Sequence, residues 1–234
     1  MKVSIQQPEF FPWTGFFNKI HQADLTVVLD SVQFKKRYFE NRCRIVVDDQ
    51  FQWLTVPVIT KGRYHQTIFE VNINNDEDWG AKTYKKLIHT YGNAPYWDDH
   101  EPFLETVFKT RTWDRLVALN MEIIQYLCTC LNLSFNHVYA SQIGSVETGS
   151  ELILDLCQKV GATTYLSGAA GKDYLDEQAF KNAGINLVYQ DFEQQAYTPF
   201  KGSYIGAASV FDALMSLGPD AAQLVFADAA PAVA

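Results

Sequence analysis

Three short stretches of this chain concentrate the side chains that bind charge and move protons. The first is Gln6-Gln7-Pro8 together with Pro12-Trp13-Thr14-Gly15. Its amides offer donors and acceptors. Its prolines and Gly15 bend the backbone just ahead of a helix whose free N–H groups suit an anion. The second runs from Asp30 to Arg44. Asp30 closes a strand and is placed to orient or deprotonate an amine, with Gln33 beside it. Lys35, Asn41, Arg42 and Arg44 are placed to hold phosphate, with arginine as the bidentate partner. The third is Ser167-Gly168-Ala169-Ala170-Gly171-Lys172-Asp173-Tyr174. A glycine-flanked loop between strand and helix cradles phosphate through its amides; Lys172 adds counter-charge and Tyr174 a stacking face. His89 is a second candidate general base beside Asp30.

Each stretch also has a structural reading. The first is a tight strand–helix connection packed by Trp13 and Phe16. The second is a sheet edge protected by charge, and the third is an ordinary glycine turn. Gly15 is not followed by Lys-Ser/Thr, so the first stretch is not a Walker loop. No nucleophile elbow or cysteine-protease signature is present. The five His are scattered, and Cys43, Cys128, Cys130 and Cys157 lack metal-ligand spacing. No metal site is expected, and the thiols read as buried and reduced.

The elements that must position these groups follow from periodicity. Residues 2–6 and 25–30 read as short buried strands around a helix at 15–22. A hairpin at 43–47 and 51–58 turns at Asp48-Asp49, and 67–73 alternates with period two as a half-buried strand does. Helices are expected at 78–90, 101–109 and 112–131, the last with a core stripe of Leu116, Leu119, Ile123, Tyr126 and Leu127. Strands at 135–140, 163–166 and 185–189 then alternate with helices at 149–160, 174–183 and 206–217. That alternation implies a parallel sheet with right-handed crossovers.

The expected fold is therefore α/β, a mostly parallel doubly wound sheet built from 1–34 and 133–220. A β-rich and helical insertion at 35–132 would cover the cleft. One domain would reach residue 226, followed by a flexible Ala/Pro-rich tail at 227–234. In such sheets ligands bind beyond the carboxyl ends of the strands, where the three stretches lie.

With 47% hydrophobic and 14% aromatic residues, the chain reads as globular. Its net charge of −8, from 19 basic and 27 acidic residues, disfavours tRNA or another long polyanion. A local basic patch suited to one phosphorylated ligand remains. The N-terminus has no charged region leading into an apolar run, and no apolar stretch reaches roughly 18 residues. A cytoplasmic protein without a membrane span is expected.

Taken together, a set of segments resembles the WbqC-like protein family over about residues 3–218. They are Gln6-Gln7-Pro8, Pro12-Trp13-x-Gly15, Ala23-Asp24, Leu29-Asp30-x-Val32-Gln33-Phe34, Asn41-Arg42, Trp53-Leu54-Thr55-Val56-Pro57, Tyr165-Leu166-Ser167-Gly168, Gly171-Lys172-x-Tyr174-Leu175 and Ser209-x-x-Asp212. That family accompanies polysaccharide and O-antigen biosynthesis. The resemblance implies a glycine or aminoacyl transferase that acylates an amino sugar, nucleotide-linked, from an activated glycine donor. Ala169-Ala170 and Gly202–Ala208 depart from the family pattern.

Gln7-Pro8-x-x-x-Pro12-x-x-Gly15 is more loosely similar to nucleotidyltransferase-type folds such as pantothenate synthetase, which activate a carboxylate as an acyl-adenylate. The HxGH histidines of that group are absent, since Phe16 follows Gly15. Free amino acid with ATP, an aminoacyl-tRNA and an acyl-thioester all stay open as donors, and the oligomeric state is open as well. The alternative reading is a non-catalytic nucleotide-sugar-binding module or an assembly factor in glycan biosynthesis.

Overall fold

Short runs of β-branched and aliphatic residues alternate along the chain with amphipathic helices, and they sort into one central layer. The computed structural model describes residues 1–226; the tail expected at 227–234 lies outside them. In order the elements are β1 (Lys2–Gln6), α1 (Thr14–Gln22), β2 (Leu25–Val28), β3 (Arg42–Val47), β4 (Gln50–Thr55), α2 (Trp79–Tyr91), α3 (Trp97–Glu105), α4 (Leu116–Cys130), β5 (His137–Tyr139), α5 (Ala140–Ile143), α6 (Gly149–Lys159), β6 (Thr164–Ser167), α7 (Glu177–Asn182), β7 (Asn186–Tyr189), α8 (Val210–Leu217) and α9 (Gln223–Phe226).

Five strands form one sheet in the order β5-β2-β1-β6-β7, and every neighbouring pair is parallel. The chain steps outward from β1 through β2 to β5, then returns to the centre for β6 and β7. The order reverses between β1 and β6, which opens a crevice at their carboxyl ends. Helices cover both faces, as a buried parallel sheet requires. Val27 packs with Val3, Ile5, Leu156 and Phe180 on one side. The next residue, Val28, packs with Phe16, Phe17 and Ile123 on the other, because successive strand side chains alternate.

Residues 29–136 connect β2 to β5 and carry the hairpin and α2–α4. Asp48 and Asp49 both adopt positive φ, 48° and 58°. That is the geometry of a two-residue primed turn, which matches the twist of the flanking strands. Leu116, Leu119, Ile123 and Leu127 of α4 are buried as its stripe predicts, with Tyr126 half-buried. All four cysteines are free, and Cys43, Cys128 and Cys157 are buried.

Some expected elements take another form. Residues 67–73 are not a strand. Thr67 and Glu70 close a capping box around a 3-10 turn at Ile68–Glu70, and isolated bridges tie Gln33 to Thr67, Val58 to Ile73 and Asn72 to Arg115. Ile68, Val71 and Ile73 are buried while Phe69 is exposed, so burial follows the turn and breaks the period-two alternation of a strand. The helix expected from 174 begins at Glu177, because Asp176 caps it by accepting from the Ala179 N–H at 3.0 Å. The last long helix begins at Val210 rather than 206. Ala207 is left-handed, φ 63°, and Ser209 provides the cap. No helix among the described residues is long and apolar enough to cross a membrane.

Candidate functional site

The carboxyl ends of the three adjacent strands β1, β6 and β7 open into a cavity of about 470 Å³. Gln6 ends β1, Gly168 follows β6 and Gln190 follows β7, and all three line it. The α1 helix contributes Gly15, Phe16 and Lys19. Phe10, Phe11, Trp13, Tyr38, Phe39 and Phe192 form aromatic walls, and Arg44 reaches the rim from β3.

Local sequence explains this shape. Phe11 is left-handed, φ 45°, which turns the chain sharply after β1. The Phe10 N–H donates to the Phe39 carbonyl at 2.9 Å, so the turn is pinned to the wall. The Trp13 indole folds over Gly15, where a Cβ would stand 2.3 Å from the ring. Only glycine leaves room for that packing. Gln190 Nε2 donates to the Gly15 carbonyl at 2.8 Å and to Asn18 Oδ1 at 2.7 Å, locking the end of β7 to α1.

The charged groups of the cavity are Glu9, Lys19 and the rim arginine. Glu9 and Lys19 keep part of their surface open to the cavity but are otherwise enclosed by protein. Enclosure pushes the Glu9 carboxyl up to about 7; Lys19 opposes that shift and Glu40 adds to it. Enclosure likewise brings the Lys19 ammonium down to about 8, against the pull of Glu9. Lys19 Nζ would lie 3.7 Å from a Cβ on Gly168, so it reaches across to β6. Glu40, behind the wall, is fully buried; both carboxylate oxygens lack a partner, and burial pushes it up to about 7. Gln6 Oε1 is also buried without a donor. Orphaned buried polar atoms call for a physical reason, and perturbed titrating groups in a cleft make it a candidate functional site.

The sequence-predicted residues divide. Gln6, Trp13, Gly15, Arg44 and Gly168 line the cavity. Gln7 is half-buried behind it, and the Pro8 carbonyl accepts from Asn120 at 2.8 Å. Asp30 is held elsewhere. It is fully buried and accepts from the Ser141 N–H at 2.9 Å and the Ser141 hydroxyl at 2.6 Å, binding β2 to α5. Both carboxylate oxygens are thus engaged by a structural clamp, and Asp30 does not line the cavity. His89 is exposed on α2 and lines a separate cavity of about 260 Å³ with Asp48, Asp49 and Lys201. Neither expected base is therefore brought to the switch point.

Gln33 donates to the Tyr64 carbonyl at 2.8 Å, and Asn41 to the Val56 carbonyl at 2.9 Å. Lys35 lies 5.8 Å from the Tyr38 ring, and Arg42 stacks on Trp53. In the third stretch Ala169 and Ala170 line the cavity. Ser167 is buried with its hydroxyl on the Gly168 carbonyl, and a Cβ on Gly171 would strike that hydroxyl at 2.0 Å. Lys172 turns onto Tyr189 at 5.4 Å, and Tyr174 is exposed.

Glu9, Lys19, Glu40 and Gln190 went unread in the sequence. One signal was available: Lys19 follows Gly15 by four residues, which places both on one helical face.

A parallel α/β fold with an aromatic-walled cavity, carrying a few charged groups, at its topological switch point is the class these features define. The chain belongs to the WbqC-like protein family, which matches residues 7–224. It is 30% identical over 221 residues to Rv1507c, an uncharacterized protein of Mycobacterium tuberculosis; the match covers 94% of this chain and 95% of that protein. No solved structure matches it.

Proposed function

We propose that the protein acylates an amino sugar, carried as a nucleotide conjugate, with glycine or a related amino acid for surface polysaccharide biosynthesis. Membership of the WbqC-like family supports the setting. The observation that carries the chemistry is Glu9, a cavity carboxyl held at about 7 beside Lys19. A sugar ammonium must lose a proton before its nitrogen attacks an acyl carbon. A base whose pKa matches neutral pH does this best. The N–C bond forms, the bond from the acyl carbon to the donor's leaving group breaks, and the proton passes through Glu9 to that leaving group. Lys19 faces the negative charge that develops on the acyl oxygen. The aromatic walls hold both reactants together, which supplies a further large part of the acceleration.

Cys43 also lines the cavity. Burial pushes its thiol well above the ordinary range, so it stays protonated and is a poor nucleophile. Direct transfer between the two substrates suits this better than an acyl-cysteine intermediate. The order β5-β2-β1-β6-β7 with the cavity at β1 and β6 supports a nucleotidyltransferase-like arrangement. From the 35–132 segment, Tyr38, Phe39, Cys43 and Arg44 then act as the cover of the cleft.

The test is mass spectrometry of reactions containing a nucleotide-linked amino sugar with glycine and ATP, glycyl-tRNA or a glycyl thioester. A sugar heavier by one glycyl residue is expected with one of these donors. The non-catalytic alternative gives saturable binding with no mass change.

A further inference from the structure

The hairpin carries a surface that acyl transfer itself leaves unused. Arg44 on β3 stands opposite Trp53 on β4, Arg42 opposite Thr55, and Val46 opposite Phe51. Directly opposed residues share a face. Cys43, Ile45 and Leu54 fill the buried face, so the arginines and aromatic rings occupy the outer one.

There the Arg42 guanidinium lies 3.8 Å from the Trp53 ring centre, and Arg44 lies 5.1 Å from Phe51 and 5.3 Å from Trp53. Trp53 and Phe51 are each 39% exposed. Lys86 donates to the Trp53 carbonyl at 3.0 Å; Arg42 donates through Nη2 to the Arg37 carbonyl, while its buried Nε has no acceptor. Tyr38, Phe39 and Arg44 line the cavity, so this face runs directly into its mouth.

We propose that the outer face of the β3–β4 hairpin binds the nucleoside diphosphate of the nucleotide-linked amino sugar, the acyl acceptor, with the base on Trp53 and the diphosphate between Arg42 and Arg44. The sugar then enters the cavity past Tyr38 and Phe39. An exposed ring beside guanidinium groups is the combination that holds a base by stacking and its phosphates by charge. The patch is short. Asp48 and Asp49 end it at the hairpin tip, and the chain's net charge is −8. One nucleotide fits such a patch better than a polymer, whose phosphates would meet those carboxylates. The identity of the linked sugar rests on the acylation reading above, whereas the nucleotide site does not need turnover to be tested.

The experiment is calorimetric and tryptophan-fluorescence titration of the full chain with UDP, ADP and GDP. Saturable binding of at least one is expected. Trp53→Ala and Arg42→Ala should each weaken it roughly ten- to hundredfold, as loss of a stacked base or a phosphate partner does. Trp53→Phe, which keeps a ring and guards against misfolding, should retain most of the affinity. Lys172→Ala should leave it unchanged. Absence of saturable nucleotide binding, binding of single-stranded RNA alone, or wild-type affinity in both alanine variants overturns the site. Loss in Lys172→Ala instead would move the phosphates to the 167–172 loop and overturn it too. Nucleotide binding with these losses but no acyl transfer sinks the transferase reading alone; transfer with unaltered KM in Trp53→Ala and Arg42→Ala sinks the hairpin site alone.

Discussion

Glu9 and Lys19 shift each other's proton affinity inside one cavity, yet they do not close into a direct ion pair. A closed pair would saturate both charges. An open one leaves a carboxyl titrating near 7 and an ammonium near 8, each available to a ligand placed between them.

A pH profile for the proposed acyl transfer follows from that pair. Glu9 must be ionised to accept a proton, so kcat/KM should rise as pH passes upward through about 7. Lys19 must stay charged, so the rate should fall above about 8. A narrow bell is expected. Lys19→Arg should push the alkaline limb far higher, because guanidinium does not deprotonate in that range. An alkaline limb unmoved by Lys19→Arg would remove Lys19 from the reaction.

Glu40 gives a stability prediction with a definite sign. Its carboxyl is fully buried, unpartnered and raised from 4.5 to about 7. Below about 4.5 both folded and unfolded chains hold the proton. Between there and about 7 the unfolded chain releases it first, so folding stability falls as pH rises across this window and the deficit persists above it. Glu40→Gln removes the deficit. At pH 8 the variant should be the more stable by roughly 1–3 kcal/mol, and at pH 4 the two should agree within error. Chemical denaturation at both pH values reads this directly; an equal difference at each pH would contradict it.

Gly15→Ala tests the packing of the cavity wall. Its new Cβ would meet the Trp13 ring at 2.3 Å. The indole must swing off α1 and expose the cavity floor. Expected are a loss of roughly 1–3 kcal/mol of stability, as for other overpacked sites, and a raised KM. Trp13→Ala should raise KM and also cost stability, since the residue is only 36% exposed and its ring packs on Gly15 and Phe192.

Asp30→Asn addresses the residue that the sequence offers as a base. Losing the charge on the Ser141 clamp should cost about 1–3 kcal/mol of stability, the usual worth of a buried charged hydrogen bond. Once folded, the variant should keep the pH profile of the parent. A change in the profile without a change in stability would return Asp30 to the chemistry.

The parallel sheet was legible because each of its strands is a short, largely apolar run stopped by polar residues, and the strand ends lead to the largest share of the cavity-lining residues that the sequence offers. Gln6, Trp13, Gly15, Arg44 and Gly168 were found that way. The roles within the region were less legible. Glu9 reads as a spacer between Pro8 and Phe10, and only the left-handed turn at Phe11 and the packing of α1 set it against Lys19. Asp30 shows the reverse. Its position at a strand end is what a catalytic carboxylate would have, but Ser141, more than a hundred residues away, claims both oxygens. Such partnerships depend on tertiary contact and leave no local pattern. The stretch 67–73 departs from its expected strand for a related reason: the Thr67–Glu70 capping box closes a 3-10 turn that period-two composition does not reveal.

The central claim is tested most directly by transfer of isotopically labelled glycine from an activated donor onto a nucleotide-linked amino sugar, measured with the wild-type chain and Glu9→Gln near neutral pH. The wild-type chain should form the labelled amide, and Glu9→Gln should form it roughly 10²- to 10⁴-fold more slowly while remaining folded, the span expected for loss of a general base. An undiminished rate in Glu9→Gln, or no labelled amide from any activated donor while the amino sugar is bound, would contradict it.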